Sequence, residues 1–196
     1  MILPIVAYGD PVLRKKCADI DADFPNLEEL ISNMWETMYN ANGVGLAAPQ
    51  IGKAIRLFLV DTSPFAEDED LTEEERDQLK DFKMVFINAR MEEETGQKWA
   101  FNEGCLSIPD IREDVNRNPT ITLSYLDADF IPFTRTFDGL LARVIQHEYD
   151  HIEGILFTDK ISSLKRRLLK GKLANISKGK IQVDYKMRFP ALKRAR

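Results

Sequence analysis

The chain has 196 residues, of which 44% are hydrophobic and 30% charged, a composition typical of a globular protein and not of a fibrous or disordered one. This length fits one domain, or one domain with an appendage, and is sufficient to bury a real core. No apolar stretch approaches the roughly 20 residues that span a bilayer, and Pro4 interrupts the apolar start, so neither a membrane span nor a signal peptide is predicted. We therefore expect a cytoplasmic protein.

The charge is distributed unevenly along the chain. Of 27 basic residues, 13 lie between Lys160 and Arg196, where Asp184 is the single acid, so this stretch carries +12 and residues 1–159 carry −17. Such a division indicates an acidic body with a basic appendage that meets a polyanion. A solvated, partly disordered terminus explains the charge equally well.

The first predicted helix covers Phe24 to Asn40, where apolar residues recur at helical spacing. The next segment, GVGLAAPQIG at residues 43–52, is too rich in glycine and proline for regular structure, and it leads into a predicted strand from Ile55 to Val60. Residues 61–83 contain eight acids between Glu67 and Asp77. We interpret this acidic stretch as an exposed loop that carries one acidic helical turn.

Three further strands are predicted from β-branched and aromatic content, at residues 84–87, 120–126 and 131–137. A short turn joins the last two, which indicates antiparallel pairing. The apolar period then becomes helical, with Asp138 as a plausible N-cap and Gly154 as a natural stop. The predicted fold class is therefore α+β, with antiparallel β-sheets packed around a central buried helix.

The buried helix contains the motif H-E-x-x-H, as His147, Glu148 and His151. Residues four apart project from nearly the same side of a helix, so both imidazoles can reach one ion while Glu148 flanks it. Two histidines on an apolar helix face often have only a structural role, as packed or surface side chains that bind no metal. Burying two imidazoles and a carboxylate without partners is costly, however, and a metal ion removes that cost.

Cys105 is the candidate for the third metal ligand, because catalytic sites usually have three protein ligands and an open position for water. Its sequence setting, EGCLSIP, is typical of a loop or a strand edge. A free cysteine is more commonly a small buried hydrophobe, which is our interpretation of Cys17. A disulfide between the two is not expected in a cytosolic chain.

Three segments together resemble bacterial peptide deformylase of type 1: GVGLAAPQIG, EGCLSIP at residues 103–109 and QHEYDH at residues 146–151. The resemblance extends from about Ile5 to Leu164. It implies a metal-dependent hydrolase that removes the formyl group from the N-terminal formyl-methionine of new polypeptides and releases formate. Residues 1–164 would form the catalytic domain and residues 165–196 a basic tail.

The residues suit this chemistry. A divalent ion held by one thiolate and two imidazoles lowers the pKa of bound water, and Glu148 can take its proton and later pass it to the leaving amine. The resemblance implies that the side-chain amide of Gln50 and the backbone N–H of Leu106 stabilise the developing oxyanion.

The resemblance also implies a set of substrate contacts. Gly45 and Gly104 allow close approach of a peptide backbone. Arg143 is a departure, because some relatives have an aliphatic residue there, and it would put a long charged stem at the pocket mouth. Arg112 either contacts the peptide or forms a surface ion pair. The full set is Val44, Gly45, Phe101, Glu103, Gly104, Leu140, Arg143 and Val144.

The ion and the partners follow from the same resemblance. Cysteine with two histidines suits several divalent ions, and the resemblance favours Fe2+, with Zn2+, Ni2+ or Co2+ as substitutes. Formylmethionyl nascent peptides would be the substrates. The basic tail is similar in position to the element by which relatives dock on the ribosome, although Gly171 and Gly179 argue against one long helix.

Two alternatives use the same motif. A zincin-type endopeptidase needs a third histidine or an acid downstream, and the chain has only two histidines. A non-enzymatic domain stapled by a cation needs a fourth protein ligand or a lost base, and Glu148 is present. The sequence therefore favours the hydrolase.

Overall fold

The structure is a computed structural model that describes residues 1–67, 69 and 71–190. These residues form four α-helices, nine strands and several short 3-10 helices. No helix in this described part is both long and apolar enough to cross a membrane. The helices are α1 (Leu27–Asn40), α2 (Glu73–Lys80), α3 (Gly139–Ile152) and α4 (Ser163–Ser177). The strands are β1 (Ile5–Val6), β2 (Gly45–Ala47), β3 (Leu57–Asp61), β4 (Lys83–Thr95), β5 (Trp99–Cys105), β6 (Ile108–Arg117), β7 (Thr120–Leu126), β8 (Pro132–Asp138) and β9 (Met187–Arg188).

Two antiparallel units surround helix α3. One is a five-stranded sheet of order β2-β3-β4-β7-β8, and the other is the β5–β6 hairpin. Strands β1 and β9, from opposite ends of the chain, form a short parallel pair. Helix α3 packs against β2 and β3, with Ala142, Ile145 and Ile152 fully buried. The predicted α+β class, with antiparallel sheets around a buried helix, is confirmed.

Helix α3 follows its predicted limits closely. Asp138 occupies the N-cap with extended backbone angles, although its side chain makes no capping hydrogen bond. Gly154 follows the helix with φ +75°, and a Cβ added there would lie 2.8 Å from the carbonyl of Arg14. A side chain at this position would therefore be strained and would collide with the backbone.

The β7–β8 hairpin confirms the predicted antiparallel pairing. Leu126 faces Pro132 across the turn, and the carboxylate of Asp127 accepts hydrogen bonds from the backbone N–H groups of Asp129 and Ile131. The residues of β7 alternate between buried and half-buried along the strand. This alternation is the physical basis of the prediction.

Several elements differ from expectation. Helix α1 begins at Leu27, because Asn26 has a left-handed conformation with φ 55°. Residues 43–52 do contain regular structure, namely β2 and a 3-10 helix at Ala48–Ile51. The acidic segment holds two turns of helix, α2, whose first turn is capped reciprocally by Thr72 and Glu75. Strands β5 and β6 were not predicted.

The basic C-terminal region folds onto the body. Helix α4 passes through Gly171 without a break and ends before Gly179, which has φ +69°. The expectation for Gly171 was therefore wrong, whereas Gly179 does end the helix. Leu169, Leu173 and Ile176 are buried in a cluster with residues of the body. The final six residues of the tail, 191–196, lie outside the described part of the chain.

Candidate metal centre and active site

Cys105, His147 and His151 come together in the interior. One donor atom from each residue lies within 4.8 Å of the other two. Cys105 Sγ and His151 Nε2 are 3.3 Å apart. The two histidines lie one helical turn apart on α3, so the helix sets their separation. The sequence-predicted ligand set is thus assembled in one place.

The position of Cys105 depends on the β5–β6 hairpin. Cys105 ends β5 and faces Ile108, so Leu106 and Ser107 form a two-residue turn. The strand register shifts between Gly104 and Cys105, which changes the direction of the thiol relative to a regular strand. The hairpin therefore presents its sulfur to α3 from the opposite side.

Glu148 lies beside the cluster on the same helix. It is only 4% exposed, and its Oε2 is buried without a hydrogen-bond partner among the described residues. Burial raises the pKa of this carboxyl to about 7. Gly45 makes room for it, since a Cβ at this glycine would lie 2.5 Å from Glu148 Oε1. An unpaired buried carboxyl next to three ligands fits a water or an ion at this site.

The side-chain amide of Gln50 is held in one orientation by a backbone hydrogen bond. Its Oε1 accepts a hydrogen bond of 2.8 Å from the backbone N–H of Ala47, and its Nε2 donates toward Cys105 Sγ at 3.6 Å. The first bond settles which end of the amide faces the cluster. A donor is therefore aimed at the same space that Glu148 borders.

A buried ion network supports His147. Glu103 Oε2 lies 2.9 Å from His147 Nδ1, and the same carboxylate accepts two hydrogen bonds from Arg117 at 2.7 and 2.9 Å. Arg117 also donates to Asp150 at 2.6 Å, and Arg143 donates to Glu103 at 3.1 Å. Burial opposes ionisation of Glu103, but the bonds from Arg117 and His147 hold its pKa well below the usual range.

The two histidines have opposite electrostatic environments. Burial lowers the pKa of His147, yet its hydrogen bonds to Cys105 and Glu103 outweigh burial and raise that pKa well above the ordinary value. For His151, burial and the nearby charge of His147 both act to lower the pKa. His151 is therefore a neutral imidazole with a free lone pair, the form that binds a metal.

A cavity of about 590 Å³ opens onto the cluster. Of the sequence-predicted substrate contacts, Leu140 is not among the residues that line this cavity, and it lies half-buried one turn before Val144. Arg112 lines the cavity and bonds to Asn102 rather than to an acid. The predicted residues that line it are Val44, Gly45, Gln50, Phe101, Glu103, Gly104, Cys105, Leu106, Arg143, Val144, His147 and Glu148.

Arg143 does not project from the pocket mouth as expected. It is 2% exposed, and besides Glu103 it donates to the carbonyls of Val115 (2.9 Å) and Trp99 (2.8 Å). Its guanidinium also lies 4.4 Å from the centre of the Trp99 ring. The guanidinium is therefore paired inside the fold, and Arg143 does not offer a free charge at the mouth of the cavity.

Three residues of the site were missed from the sequence. Arg117 and Asp150 complete the ion network, and Tyr185 lines the cavity from the C-terminal region. Asp150 carried a local signal, because it lies inside H-E-x-x-H and three residues from His147. Arg117 and Tyr185 are brought in by long-range folding, which no local pattern reveals.

Cys17 has the structural role expected of it. It is buried within the main core cluster and forms no disulfide. Burial raises the pKa of its thiol to about 11, so it remains protonated and unreactive at neutral pH.

Comparison with known proteins agrees with the geometry. The family model described as polypeptide deformylase matches residues 2–167. Peptide deformylases of Christiangramia forsetii and Flavobacterium johnsoniae are 67% and 63% identical over 196 residues, covering 100% of this chain and of each relative. A crystal structure of a peptide deformylase from Legionella pneumophila is 37% identical, covers 92% of this chain and 98% of its own, and superposes with a TM-score of 0.76.

The family match covers most of the chain, and it agrees with a buried cysteine–histidine cluster beside an unpaired carboxyl. The chain therefore belongs to the peptide deformylase family, the metal-dependent hydrolases that remove the formyl group from the N-terminal formyl-methionine of newly synthesised polypeptides.

Proposed function

We propose that Cys105, His147 and His151 hold the divalent ion of this deformylase and that Glu148 is its general base. The observation that carries the proposal is the cluster itself, three ligand atoms within 4.8 Å of one another and a buried carboxyl beside them. A thiolate and two imidazoles form a complete set of three protein ligands with a position left for water or substrate.

The ion network supports this assignment by selecting the tautomer of His147. Because Glu103 is ionised, its Oε2 accepts a hydrogen bond from the N–H of His147 Nδ1. A metal ion would displace the proton on Nε2 and bind through that atom, because Glu103 holds the Nδ1 proton in place. We assign Glu103 as a positioning residue for His147, since its carboxylate oxygens bond to protein groups.

A divalent ion bound here would lower the pKa of a coordinated water and polarise the formyl carbonyl. Glu148 accepts the proton of the attacking water and returns it to the leaving amine. A carboxyl whose pKa is about 7 suits both steps at neutral pH, because neither protonation state is strongly disfavoured. Burial, which raises that pKa, also shields the reaction from bulk solvent.

Gln50 and Leu106 are assigned to the oxyanion that develops on the formyl oxygen. The Ala47 N–H holds the Gln50 amide with its Nε2 toward the site, and the turn after Cys105 carries the Leu106 N–H. Both donors are set by the fold before the substrate arrives, so they cost little reorganisation during the reaction.

The cavity walls are assigned to the peptide. Val44, Phe101 and Val144 offer apolar surface for the methionine side chain, and Gly104 lets the substrate backbone approach β5. Gly45 has a second function, because it also provides the space that Glu148 occupies.

We assign the ion as Fe2+, with Zn2+, Ni2+ or Co2+ as substitutes. One thiolate and two imidazoles suit each of these ions, and the resemblance to type 1 deformylases favours iron. Metal analysis of protein purified without oxygen tests this: iron near one atom per chain is expected, and stoichiometric zinc would overturn it.

We assign the basic tail, residues 165–196, as a ribosome-docking appendage of a cytoplasmic enzyme. Helix α4 exposes Arg166, Arg167, Lys170 and Lys172, and contacts of such residues with RNA phosphates weaken steeply with salt. Co-sedimentation with ribosomes should fall in the double variant Arg166→Glu/Arg167→Glu.

The matched control for this docking test reverses the exposed charges of Lys53 and Lys98, which lie elsewhere on the body. Equal loss of co-sedimentation in both double variants would mean that net charge alone is responsible. Unchanged co-sedimentation of Arg166→Glu/Arg167→Glu would remove the docking assignment.

The deciding experiment for the catalytic residues is formate release from formyl-Met-Ala-Ser by the wild type, Glu148→Ala and Cys105→Ser. We expect Glu148→Ala to keep its metal and lose at least about a hundredfold in kcat. Cys105→Ser should lose both metal and activity. Full activity in Glu148→Ala would overturn the mechanism.

A further inference from the structure

The C-terminal region returns to the active site after helix α4. Beyond Gly179 the chain runs back across the body, and β9 pairs in parallel with β1. The backbone N–H of Ile5 donates to the carbonyl of Lys186 at 2.8 Å, and that of Ala7 donates to Arg188 at 2.9 Å. We call residues 181–188 the returning segment; it lies outside the 2–167 stretch matched by the family model.

The returning segment is anchored at both ends. Ile181 packs against the core cluster that includes α4, and Met187 packs against that cluster and against the one that contains α1. Between these anchors, four consecutive residues from Gln182 to Tyr185 line the same cavity as Cys105. The packing of Ile181 and Met187 therefore holds these four residues at the cavity.

Tyr185 bonds directly to the turn that follows the cysteine ligand. Its hydroxyl donates to the carbonyl of Leu106 at 2.7 Å. Burial raises the pKa of this phenol, so it remains a donor at neutral pH. The N-terminal end of the chain holds the other turn residue, because the N–H of Tyr8 donates to the carbonyl of Ser107 at 2.8 Å.

The Leu106 side chain is confined as well. A Cβ added at Gly43 would lie 2.8 Å from Leu106 Cδ1, so this glycine provides the space that the leucine fills. With its side chain packed there and its carbonyl bound by Tyr185, Leu106 is held from two sides. These two contacts restrain the turn that carries the Leu106 N–H.

We propose that the returning segment is part of the active site, with Gln182 to Tyr185 forming one wall of the peptide-binding cavity and Tyr185 positioning the turn that carries the Leu106 N–H. This inference rests on the proposed role of Leu106 as an oxyanion donor. If the Leu106 N–H is not held in one direction, it stabilises the oxyanion of the transition state less well. Substrate binding in the ground state should change little.

The test of the positioning role is Tyr185→Phe, which removes only the hydroxyl. We expect kcat for formyl-Met-Ala-Ser to fall about tenfold, with KM within about twofold of the wild type and the metal content unchanged. The matched control is Tyr125→Phe, because Tyr125 is also buried but donates to Met84 Sδ within the main sheet. This control should keep the wild-type kcat.

Each outcome bears on the proposal. A purely structural role would lower the free energy of unfolding of Tyr185→Phe and leave kcat per metal-loaded chain unchanged, which would overturn positioning. Loss of metal with unchanged kcat per bound ion would overturn it too. Failure of the proposed function is distinguishable, since the wild type would then release no formate, or Glu148→Ala would be fully active, in the same assay.

The cavity wall is tested at Val183, the apolar member of the four residues. Val183→Ala removes two methyl groups and should raise KM for formyl-peptides about threefold, with kcat unchanged. Unchanged KM for formyl-peptides of two to five residues would show that the substrate does not contact this wall, and would overturn that half of the proposal.

Discussion

Two neighbouring hairpins differ in what their residues do. Strand β7 of the β7–β8 hairpin alternates regularly between buried and half-buried positions, and β8 contributes Phe137 to the core. The β5–β6 hairpin instead holds a buried glutamate at Glu103, a register shift at Gly104 and the proposed metal ligand Cys105. The β7–β8 hairpin mainly stabilises the fold. The β5–β6 hairpin is irregular in its pairing, and this irregularity accompanies the placement of Glu103 and Cys105 beside α3.

The largest expected effect is that of Glu103→Gln, in the β5–β6 hairpin. This change leaves Arg117 and Arg143 buried with too little negative charge, so the free energy of unfolding should fall by about 3–5 kcal/mol. Metal affinity should also fall roughly 10–100-fold, since His147 loses its acceptor. Urea unfolding and chelator competition measure the two effects.

The control for Glu103→Gln is Glu113→Gln in the same hairpin. Glu113 pairs with Lys165 at the surface, and such pairs contribute about 1 kcal/mol or less. Equal losses in the two variants would contradict the assignment of Glu103 as the support of His147.

The second effect belongs to the β7–β8 hairpin. Ile121→Ala removes a fully buried side chain and should lower the free energy of unfolding by about 2–5 kcal/mol. The folded variant should keep the wild-type metal affinity and kcat/KM, because Ile121 contacts the core and not the cavity. A change in the metal affinity of Ile121→Ala would show that the β7–β8 hairpin also supports the metal site.

The third effect is a pH dependence of the free energy of unfolding, which is expected from Glu103 in the β5–β6 hairpin. The folded-state pKa of Glu103 is depressed, so its contribution to stability is present above the unfolded pKa of about 4.3 and is lost as the pH falls below it. In metal-free protein, the wild type should lose about 1–2 kcal/mol more than Glu103→Gln between pH 6 and pH 3. Parallel pH profiles would contradict this account.

The smallest effect is expected at the exposed face of the β7–β8 hairpin. Thr122 and Thr136 share a cross-strand hydrogen bond of 2.9 Å in solvent. Thr122→Ala should cost about 0.2–1 kcal/mol in the free energy of unfolding and nothing in activity. Thermal unfolding and formate release check both parts, and a measurable loss of kcat would show that this hairpin influences the site after all.

The same contrast explains what could be predicted from the sequence. Helix α3 and strand β7 follow regular apolar periods, so their limits were found with little error. The proximity of His147 and His151 on α3 could be predicted because helical spacing alone brings these two side chains together. Strand β5 was missed, because the glycine and the half-buried cysteine at its end break the alternation on which strand prediction depends.

The long-range contacts of the site had no local signature. Arg117 reaches Glu103 from the next strand, and Arg143 is buried only because that strand pair supplies backbone carbonyls for its donors. Tyr185 reaches Leu106 across 79 positions of sequence. The division of the chain at residue 164 stays a prediction, although α4 begins at Ser163 and packs on the body across that point.

The central claim is that Cys105, His147 and His151 bind one ion whose reaction depends on Glu148. Its most direct test is Co2+ substitution, with thiolate-to-cobalt absorption, metal stoichiometry and formate release measured together. We expect one ion per chain and thiolate absorption in the wild type and in Glu148→Ala. Formate release is expected in the wild type alone, and the absorption should be lost in Cys105→Ser. Thiolate absorption that persists in Cys105→Ser, or full activity in Glu148→Ala, would contradict it.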